Sequence, residues 1–208
     1  MPRLVDHEAR RREITDAVRR VIVSGGPAAV TFQTVAAEAG ISVRLVQYYF
    51  GTKKEFLLAT HQSVVYDAGA RLAQRMATRS GDTSPREVIR MVLIELLPLD
   101  EQRREEAIVL GAFNTAAIAG QGITADETLT APRALVAILA DQFGKAGRAP
   151  GPAELDAELV LAAIAGIAQG MLPGHYTAHT AVELVDRLLD LTLGPGSKRI
   201  PEHRKPLD

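Results

Sequence analysis

Apolar residues recur along most of this chain at intervals of three and four positions, the spacing of a helix with one buried face. The clearest run lies between about Glu8 and Ser24, at Ile14, Ala17, Val18, Val21 and Ile22. Further long helices are predicted at about 52–78, 88–97, 100–120, 124–143, 152–171 and 178–193. No segment favours a strand, so the pattern predicts an all-α fold. Residues 1–7 are expected to form a loose arm, and the helix at 124–143 to be irregular before Pro132.

Residues 31–55 differ from the long helices because they predict two short helices joined by a tight turn. Thr31 is placed to cap the first of them, since its hydroxyl can accept a backbone N–H of the first turn. Gly40 can end that helix in the left-handed conformation, which a residue without Cβ adopts readily. Ser42 then caps the second helix, at about 43–49. This order indicates a helix-turn-helix motif, whose second helix enters the major groove of DNA. Thr31 and Ser42 are therefore also candidate DNA-binding residues.

The second short helix carries the side chains that would read DNA. Its outer side is left with Val43, Arg44, Gln47 and Tyr48. Arginine can form two hydrogen bonds to guanine, and glutamine can do the same to adenine. Tyr49 is a candidate donor to a phosphate. The alternative is an ordinary three-helix bundle with a polar surface.

The helix that follows begins with more candidate DNA contacts. Thr52 and Glu55 have the spacing of a capping box. Lys53 lies at the positive end of this helix, where unpaired N–H groups favour an anion such as phosphate. The arginines at 10–12 are expected in the first turn of the first helix, where either an external anion or a solvated charged face explains them.

The segment 31–57 resembles the DNA-binding segment of TetR-family transcriptional regulators. The resemblance is carried by Thr31, Val35-Ala36, Ala39-Gly40-Ile41-Ser42, Val46-Gln47-Tyr48-Tyr49-Phe50-Gly51-Thr52-Lys53-Lys54-Glu55 and Phe56-Leu57. Gln47 and Val46 depart from the commoner Tyr and Leu of the family. A shorter resemblance, at 97–106, is to the C-terminal domain of a TetR subgroup that includes the choline-responsive betaine repressors.

The family resemblance implies a homodimeric repressor that binds a near-palindromic operator in double-stranded DNA and is released by a small-molecule effector, without a cofactor. It implies a DNA-binding domain at 1–51 and a ligand-binding and dimerisation domain at 52–193, before a tail at 194–208 that we expect to be disordered. It also implies dimerisation through the helices near 152–171 and 178–193. Apolar residues cover more than one face of both helices, which favours burial on two sides. The alternative to a dimer is that the helices are buried within the monomer.

Six residues of the second domain are candidates for the effector pocket. Glu95 lies on an almost wholly apolar helix, so its carboxylate needs a partner. That partner is either a ligand group or an arginine such as Arg90 or Arg133, and the third alternative is that Glu95 lies at the boundary of the core. The other candidates are Met91, Phe113, Asn114, Ile167 and Met171, for which core packing or an interhelical hydrogen bond is the alternative.

Charge is divided unevenly along the chain. Residues 1–54 contain nine Lys/Arg and five Asp/Glu, whereas the remainder contains 15 and 20. The basic end is therefore the one expected to meet a polyanion. The chain has no cysteine, which excludes a disulfide framework and a thiolate metal site. No apolar run is long enough to span a membrane, and we expect a cytoplasmic protein.

An enzyme and an effector-free DNA-binding protein are the competing functions. His175 and His179 have the i, i+4 spacing of metal ligands, but Pro173-Gly174 precedes them. The chain has neither a Gly-rich phosphate loop after a strand nor a Gly-x-Ser-x-Gly elbow, so we expect no enzyme. A DNA-binding protein controlled by a protein partner would share the reading helix and need no cavity.

Overall fold

The computed structural model describes residues 2–78, 83–120 and 123–195, and within these ranges it contains helices and turns but no strand. The prediction of an all-α fold is confirmed. The described helices are α1 (Pro2–Gly25), α2 (Phe32–Ala39), α3 (Val43–Tyr49), α4 (Lys53–Ala77), α5 (Pro85–Glu95), α6 (Glu101–Ile118), α7 (Ala125–Lys145), α8 (Pro150–Met171) and α9 (Ala178–Leu193). A 3-10 turn at Pro27–Ala29 follows α1. The tail expected to be disordered lies outside the described residues from 196 onward.

Two expectations about helix continuity are wrong. No loose arm precedes the first helix in the described residues, because α1 begins at Pro2. The arginines at 10–12 therefore lie inside α1, and the helix-dipole argument does not apply to them. The expected irregularity before Pro132 is also absent, since α7 continues through that residue. Proline removes one helical hydrogen bond, and the long packing of α7 along α8 offsets that loss.

The first three helices form an N-terminal unit, here called the head, and α4 to α9 form the body. Apolar side chains from α1 to α4 fill the centre of the head, including the fully buried Ile14, Val18, Val35, Val46, Phe50 and Phe56. Truncating one of the phenylalanines would cost about 3–5 kcal/mol. The same cluster continues through Val109 and Phe113 of α6 to Ile123. The head therefore packs on α6 through a shared core.

The other body helices surround a second apolar cluster. Its fully buried members include Ile89, Leu93, Leu139, Phe143, Val160, Val185 and Leu189, from α5, α7, α8 and α9. Two ion pairs join α5 to α9, between Arg86 and Asp190 and between Arg90 and Asp186, each at 2.6 Å. The last helix is therefore held by both apolar packing and charge.

Helix α4 connects the two clusters. It contains 25 residues, which makes it about 37 Å long at 1.5 Å per residue. Phe56 and Val64 belong to the cluster of the head, whereas Leu72 packs against that of the body. Arg19 of α1 donates to Asp67 of α4 at 2.6 Å. Helix α4 is therefore in contact with both the head and the body.

Candidate nucleic-acid interface

The turn between α2 and α3 has the geometry expected from the sequence. The Thr31 hydroxyl accepts the N–H of Thr34 at 3.1 Å and so caps α2. Gly40 ends the helix with a φ of +66°, where an L side chain would be strained. The N–H of Ile41 donates to the Ala36 carbonyl at 3.0 Å, which closes the helix end. Side chain and backbone together fix the angle at which α3 leaves.

Helix α3 presents polar side chains on its outer side. The Ser42 hydroxyl accepts the N–H of Leu45 at 3.2 Å and caps the helix. Arg44 and Gln47 are exposed, and Tyr48 is 73% exposed. These three side chains lie within one helical turn of each other, so a single groove could receive them all.

Two other predicted DNA contacts of α3 are partly turned inward. Val43 and Tyr49 are half-buried and pack against the core of the head. The ring of Tyr49 also lies between two neighbouring rings, 4.5 Å from that of His7 and 5.3 Å from that of Tyr48. Packing is thus part of the role of both residues.

Arg11 supports α3 from behind, a role that its position in the sequence does not reveal. Its Nη1 donates to the carbonyl of Tyr49 at 2.7 Å, and its guanidinium lies 4.1 Å from the centre of the Phe50 ring. A cation over an aromatic face is attracted by the ring quadrupole. No local signal distinguishes Arg11 from its neighbours, because its partners lie 38 and 39 positions further along the chain.

The start of α4 holds the last of the predicted DNA contacts. The Thr52 hydroxyl accepts the N–H of Glu55 at 3.2 Å, as the capping box predicts. The reciprocal bond differs, because Glu55 Oε2 accepts the N–H of Gly51 at 3.1 Å rather than that of Thr52. Lys53 is exposed, and among the described residues no hydrogen bond or ion pair engages it. Lys54, in contrast, pairs with Glu127 at 2.9 Å.

The six residues predicted to line an effector pocket do not belong to a single cluster, and the pocket stays a prediction. Phe113 lies in the core shared with the head, whereas Asn114, its neighbour on α6, is exposed. Ile167 and Met171 of α8 belong to the second cluster, and Met91 is half-buried on α5. The sixth, Glu95, pairs with arginines. Arginine pairing was one of the alternatives, but Arg90 and Arg133 are not the partners, since they pair with Asp186 and Asp126.

Glu95 instead belongs to a buried ion-pair cluster, the Arg71 cluster, made of Arg71, Arg75, Glu95 and Glu106. Arg71 Nε donates to Glu95 at 3.0 Å, and its two terminal nitrogens donate to Glu106 at 2.7 and 2.6 Å. Both carboxylates are buried. Hydrogen bonds to Glu106 and Glu95 raise the pKa of Arg71 above its already high value. Arg75 lies 2.9 Å from the second oxygen of Glu95, without hydrogen-bond geometry. The cluster joins α4 to α5 and α6.

His61 is a second titratable group at the junction of α4 and α6. Its side chain is buried, and its ring lies edge-on to that of Phe113 with the ring centres 5.2 Å apart. Burial lowers the pKa of His61 below its ordinary value, because the charged form loses its hydration. The folded chain therefore keeps this imidazole neutral at a pH at which the unfolded chain would protonate it.

The buried state of His61 predicts a pH dependence of stability. As the pH falls below about 6.5, the unfolded chain binds a proton that the folded chain resists, so the free energy of unfolding falls. One proton contributes at most about 1.4 kcal/mol per pH unit. Urea unfolding between pH 7 and pH 5 should therefore show that the free energy of unfolding falls more steeply with falling pH in the wild type than in His61→Gln. The carboxyl pKa values of Asp100 and Glu127 are also lowered. These two groups titrate below the range from pH 7 to pH 5, and they are present in both the wild type and His61→Gln. Equal slopes would contradict the assignment.

The described residues can be compared with the requirements of a metal site and of a membrane-spanning helix. Among them no group of three or more His, Cys, Asp or Glu side chains is arranged to hold a metal ion. His179 lies 3.5 Å from Glu183, one turn further along α9. No described helix is long and apolar enough to cross a membrane.

Comparison with known proteins gives a consistent assignment. Residues 14–60 match the family model for bacterial regulatory proteins of the tetR family. The chain is 34% identical over 113 residues to the HTH-type transcriptional regulator PksA of Bacillus subtilis (strain 168), with 54% of each chain covered. It is also 34% identical over 93 residues to BetI 1 of Chromohalobacter salexigens, with 45% of each covered. The chain thus spans about half the length of the curated relatives it matches, and membership of the betaine-repressor subgroup stays a prediction.

A solved structure extends the likeness to most of the fold. A transcriptional regulator from Rhodococcus sp. Rha1 superposes with a TM-score of 0.78 at 27% identity, over 88% of this chain and 95% of that one. The match of residues 14–60 coincides with the capped helix-turn-helix described above. Residues 14–60 therefore carry the segment shared by bacterial regulatory proteins of the tetR family, within a fold similar to that of a solved transcriptional regulator.

Proposed function

We propose that this protein is a ligand-responsive transcriptional repressor, which binds a near-palindromic operator as a homodimer and is released by a small molecule bound in the body. The observation that carries the proposal is helix α3. It is capped at Ser42 and held from behind by Arg11, and it exposes Arg44, Gln47 and Tyr48 together. A rigid short helix with an outward row of base-edge donors is what direct readout requires.

Reading and positioning are divided between different elements in this proposal. α3 is a short helix of seven residues, and a major groove about 12 Å wide admits an α-helix. Arg44 and Gln47 then meet base edges. Thr31 and Thr52, at the N-termini of α2 and α4, and Lys53 beside them meet phosphates, since helix N-termini favour anions.

Dimerisation is supported by apolar side chains that the single chain leaves in solvent. Leu155 and Leu159, one turn apart on α8, are 72% and 56% exposed, and Leu191 of α9 is 66% exposed. Ala162 and Gly166 continue the exposed side of α8 and would let a partner helix approach closely. Burying a leucine yields about 1.5–3 kcal/mol. A second copy of the chain on this surface would bring two heads onto one operator.

Release is explained by the position of α4. This helix contributes to both apolar clusters and carries Lys53 at its head end. An effector that binds better to one position of α4 than to another shifts the population between DNA-binding and DNA-free arrangements. Its effect is limited to that difference in affinity.

Selection from random double-stranded DNA with the purified protein at moderate salt tests the proposal. We expect enrichment of an inverted repeat whose half-sites lie about one helical turn, or a multiple of it, apart. Enrichment of a single half-site would contradict the dimer. No enrichment by protein from which small molecules have been removed by unfolding and refolding would contradict sequence-specific binding itself.

Substitutions at Arg44 and Lys53 should separate base reading from phosphate contact. Arg44→Ala should relax the preference at one operator position and weaken operator binding by roughly 1–3 kcal/mol. Lys53→Ala should weaken binding to all sequences about evenly and reduce the dependence of affinity on salt. Fluorescence anisotropy over a salt series measures both the affinity for DNA and its dependence on salt. Lys145→Ala on α7 is the control. If Arg44→Ala weakened binding to every DNA sequence by the same factor, the result would contradict a role of Arg44 in base reading.

A further inference from the structure

A partly open cavity of about 210 Å³ lies between the head and the body. The end of α1 and the 3-10 turn form one side, α6 and Ile123 form the other, and the first turns of α4 close it. Of the residues predicted to line an effector pocket, only Phe113 contributes to it. An occupant of this cavity would touch the head and the body at once.

The walls of the cavity are mostly hydrocarbon. They include Ile22 of α1, Leu57 of α4, Phe113 and Ala116 of α6, and Ile123. Such walls favour an apolar occupant, because burial removes hydrocarbon from water on both sides. The volume is below the roughly 300–1,000 Å³ of pockets that enclose drug-sized ligands. The occupant is therefore a small molecule.

One uncompensated positive charge lies at the rim. Lys53 and Lys54 both border the cavity, but Lys54 is neutralised by Glu127 at 2.9 Å. The carboxylate of Glu55 is directed to the N–H of Gly51 and the Thr52 hydroxyl, and it does not border the cavity. The ammonium of Lys53 has no partner among the described residues. A single negative charge on the occupant would complement it.

We propose that this cavity binds a small monocarboxylic acid with a hydrophobic body, its carboxylate at Lys53 and its hydrocarbon against α6. Its regulatory consequence rests on the proposed function. The acid would occupy the lysine assigned to a DNA phosphate and would lie between the head and α6. The cavity is thus an effector site distinct from one inside the body.

Titration calorimetry with octanoate, using octanamide as its uncharged analogue, tests the site on the full chain without DNA. We expect one octanoate per chain and weaker binding of octanamide. Lys53→Gln should weaken the binding of octanoate by roughly two- to fivefold, the range of an exposed ion pair. It should leave the binding of octanamide unchanged. The control variant Lys145→Gln removes an exposed lysine on α7, away from the cavity, and should not change the affinity for either compound.

Filling the cavity gives an independent test. Ala116→Leu should abolish binding of both compounds, and Ala112→Leu, at a half-buried position of the same wall, serves if the first variant does not fold by circular dichroism. No binding by the wild type at millimolar octanoate would overturn the proposal, as would unchanged binding in a folded cavity-filled variant. Because no DNA is present, failure here leaves the repressor proposal standing, and failure of operator selection leaves this site standing.

Discussion

Arg71→Met should lower the free energy of unfolding by about 3–5 kcal/mol, the cost of breaking a buried ion pair from one side. Methionine keeps most of the apolar stem of Arg71 but removes the cation. Glu95 and Glu106 would then remain buried, 5% and 6% exposed, without the guanidinium that donates three hydrogen bonds to them. Arg75 contacts only one oxygen of Glu95 and cannot replace those bonds.

Urea unfolding followed by circular dichroism, at one protomer concentration and neutral pH, measures this cost. Arg90→Met is the matched control, because it removes an arginine whose partner Asp186 is itself 45% exposed in its side chain. That variant should lose no more than about 1 kcal/mol. The triple variant Arg71→Met, Glu95→Gln, Glu106→Gln should recover most of the loss, since no buried charge remains unpaired.

Equal small losses for Arg71→Met and Arg90→Met would mean that water reaches both carboxylates in solution. A large loss that the triple variant fails to recover would assign the effect to packing of the arginine stem instead. A large loss for Arg71→Met, a small loss for Arg90→Met and recovery in the triple variant would show that the Arg71 cluster stabilises the packing of α4 against α5 and α6.

The sequence is informative about the head because its signals are local. Thr31, Ser42 and Thr52 each bond to a residue three positions along the chain, and Gly40 acts through its own φ. Caps and turns of this kind are written in a few consecutive residues. The helix-turn-helix and the exposed row on α3 therefore follow without any tertiary information.

Long-range partners could not be predicted in the same way. Helical periodicity shows which face is apolar but not which helix covers it. Arg71 reaches carboxylates 24 and 35 positions away, and Phe113 turned towards the head rather than into the body. Glu95 was correctly expected to need a partner, yet the sequence contains many arginines and gives no means of choosing among them.

Helix boundaries show a third kind of limit, in which packing overrides a local preference. Pro132 argues for an interruption, but α7 continues because its length lies along α8. A local rule states a cost, and the tertiary contacts decide whether the cost is offset.

The second large effect is expected from charge placed on the exposed side of α8. The double variant Leu155→Glu, Leu159→Glu should be monomeric by light scattering at concentrations at which the wild type is a dimer. Two adjacent carboxylates on each copy would have to lose their hydration at the proposed contact, and they would face the same charges across a two-fold axis. Both positions are exposed in the single chain, so the fold should be retained.

Loss of the dimer should also weaken binding to the operator. A dimer engages its second half-site at high effective concentration, and loss of that linkage should weaken operator affinity by about 10²- to 10⁴-fold. Binding to a DNA with one half-site should change far less, because α3 is untouched. Ile118→Glu is the matched control, since Ile118 of α6 is 89% exposed and lies outside the proposed contact. That variant should stay dimeric and bind the operator as the wild type does. A dimeric double variant would place the dimer contact elsewhere, whereas a monomer with full operator affinity would separate DNA reading from dimerisation.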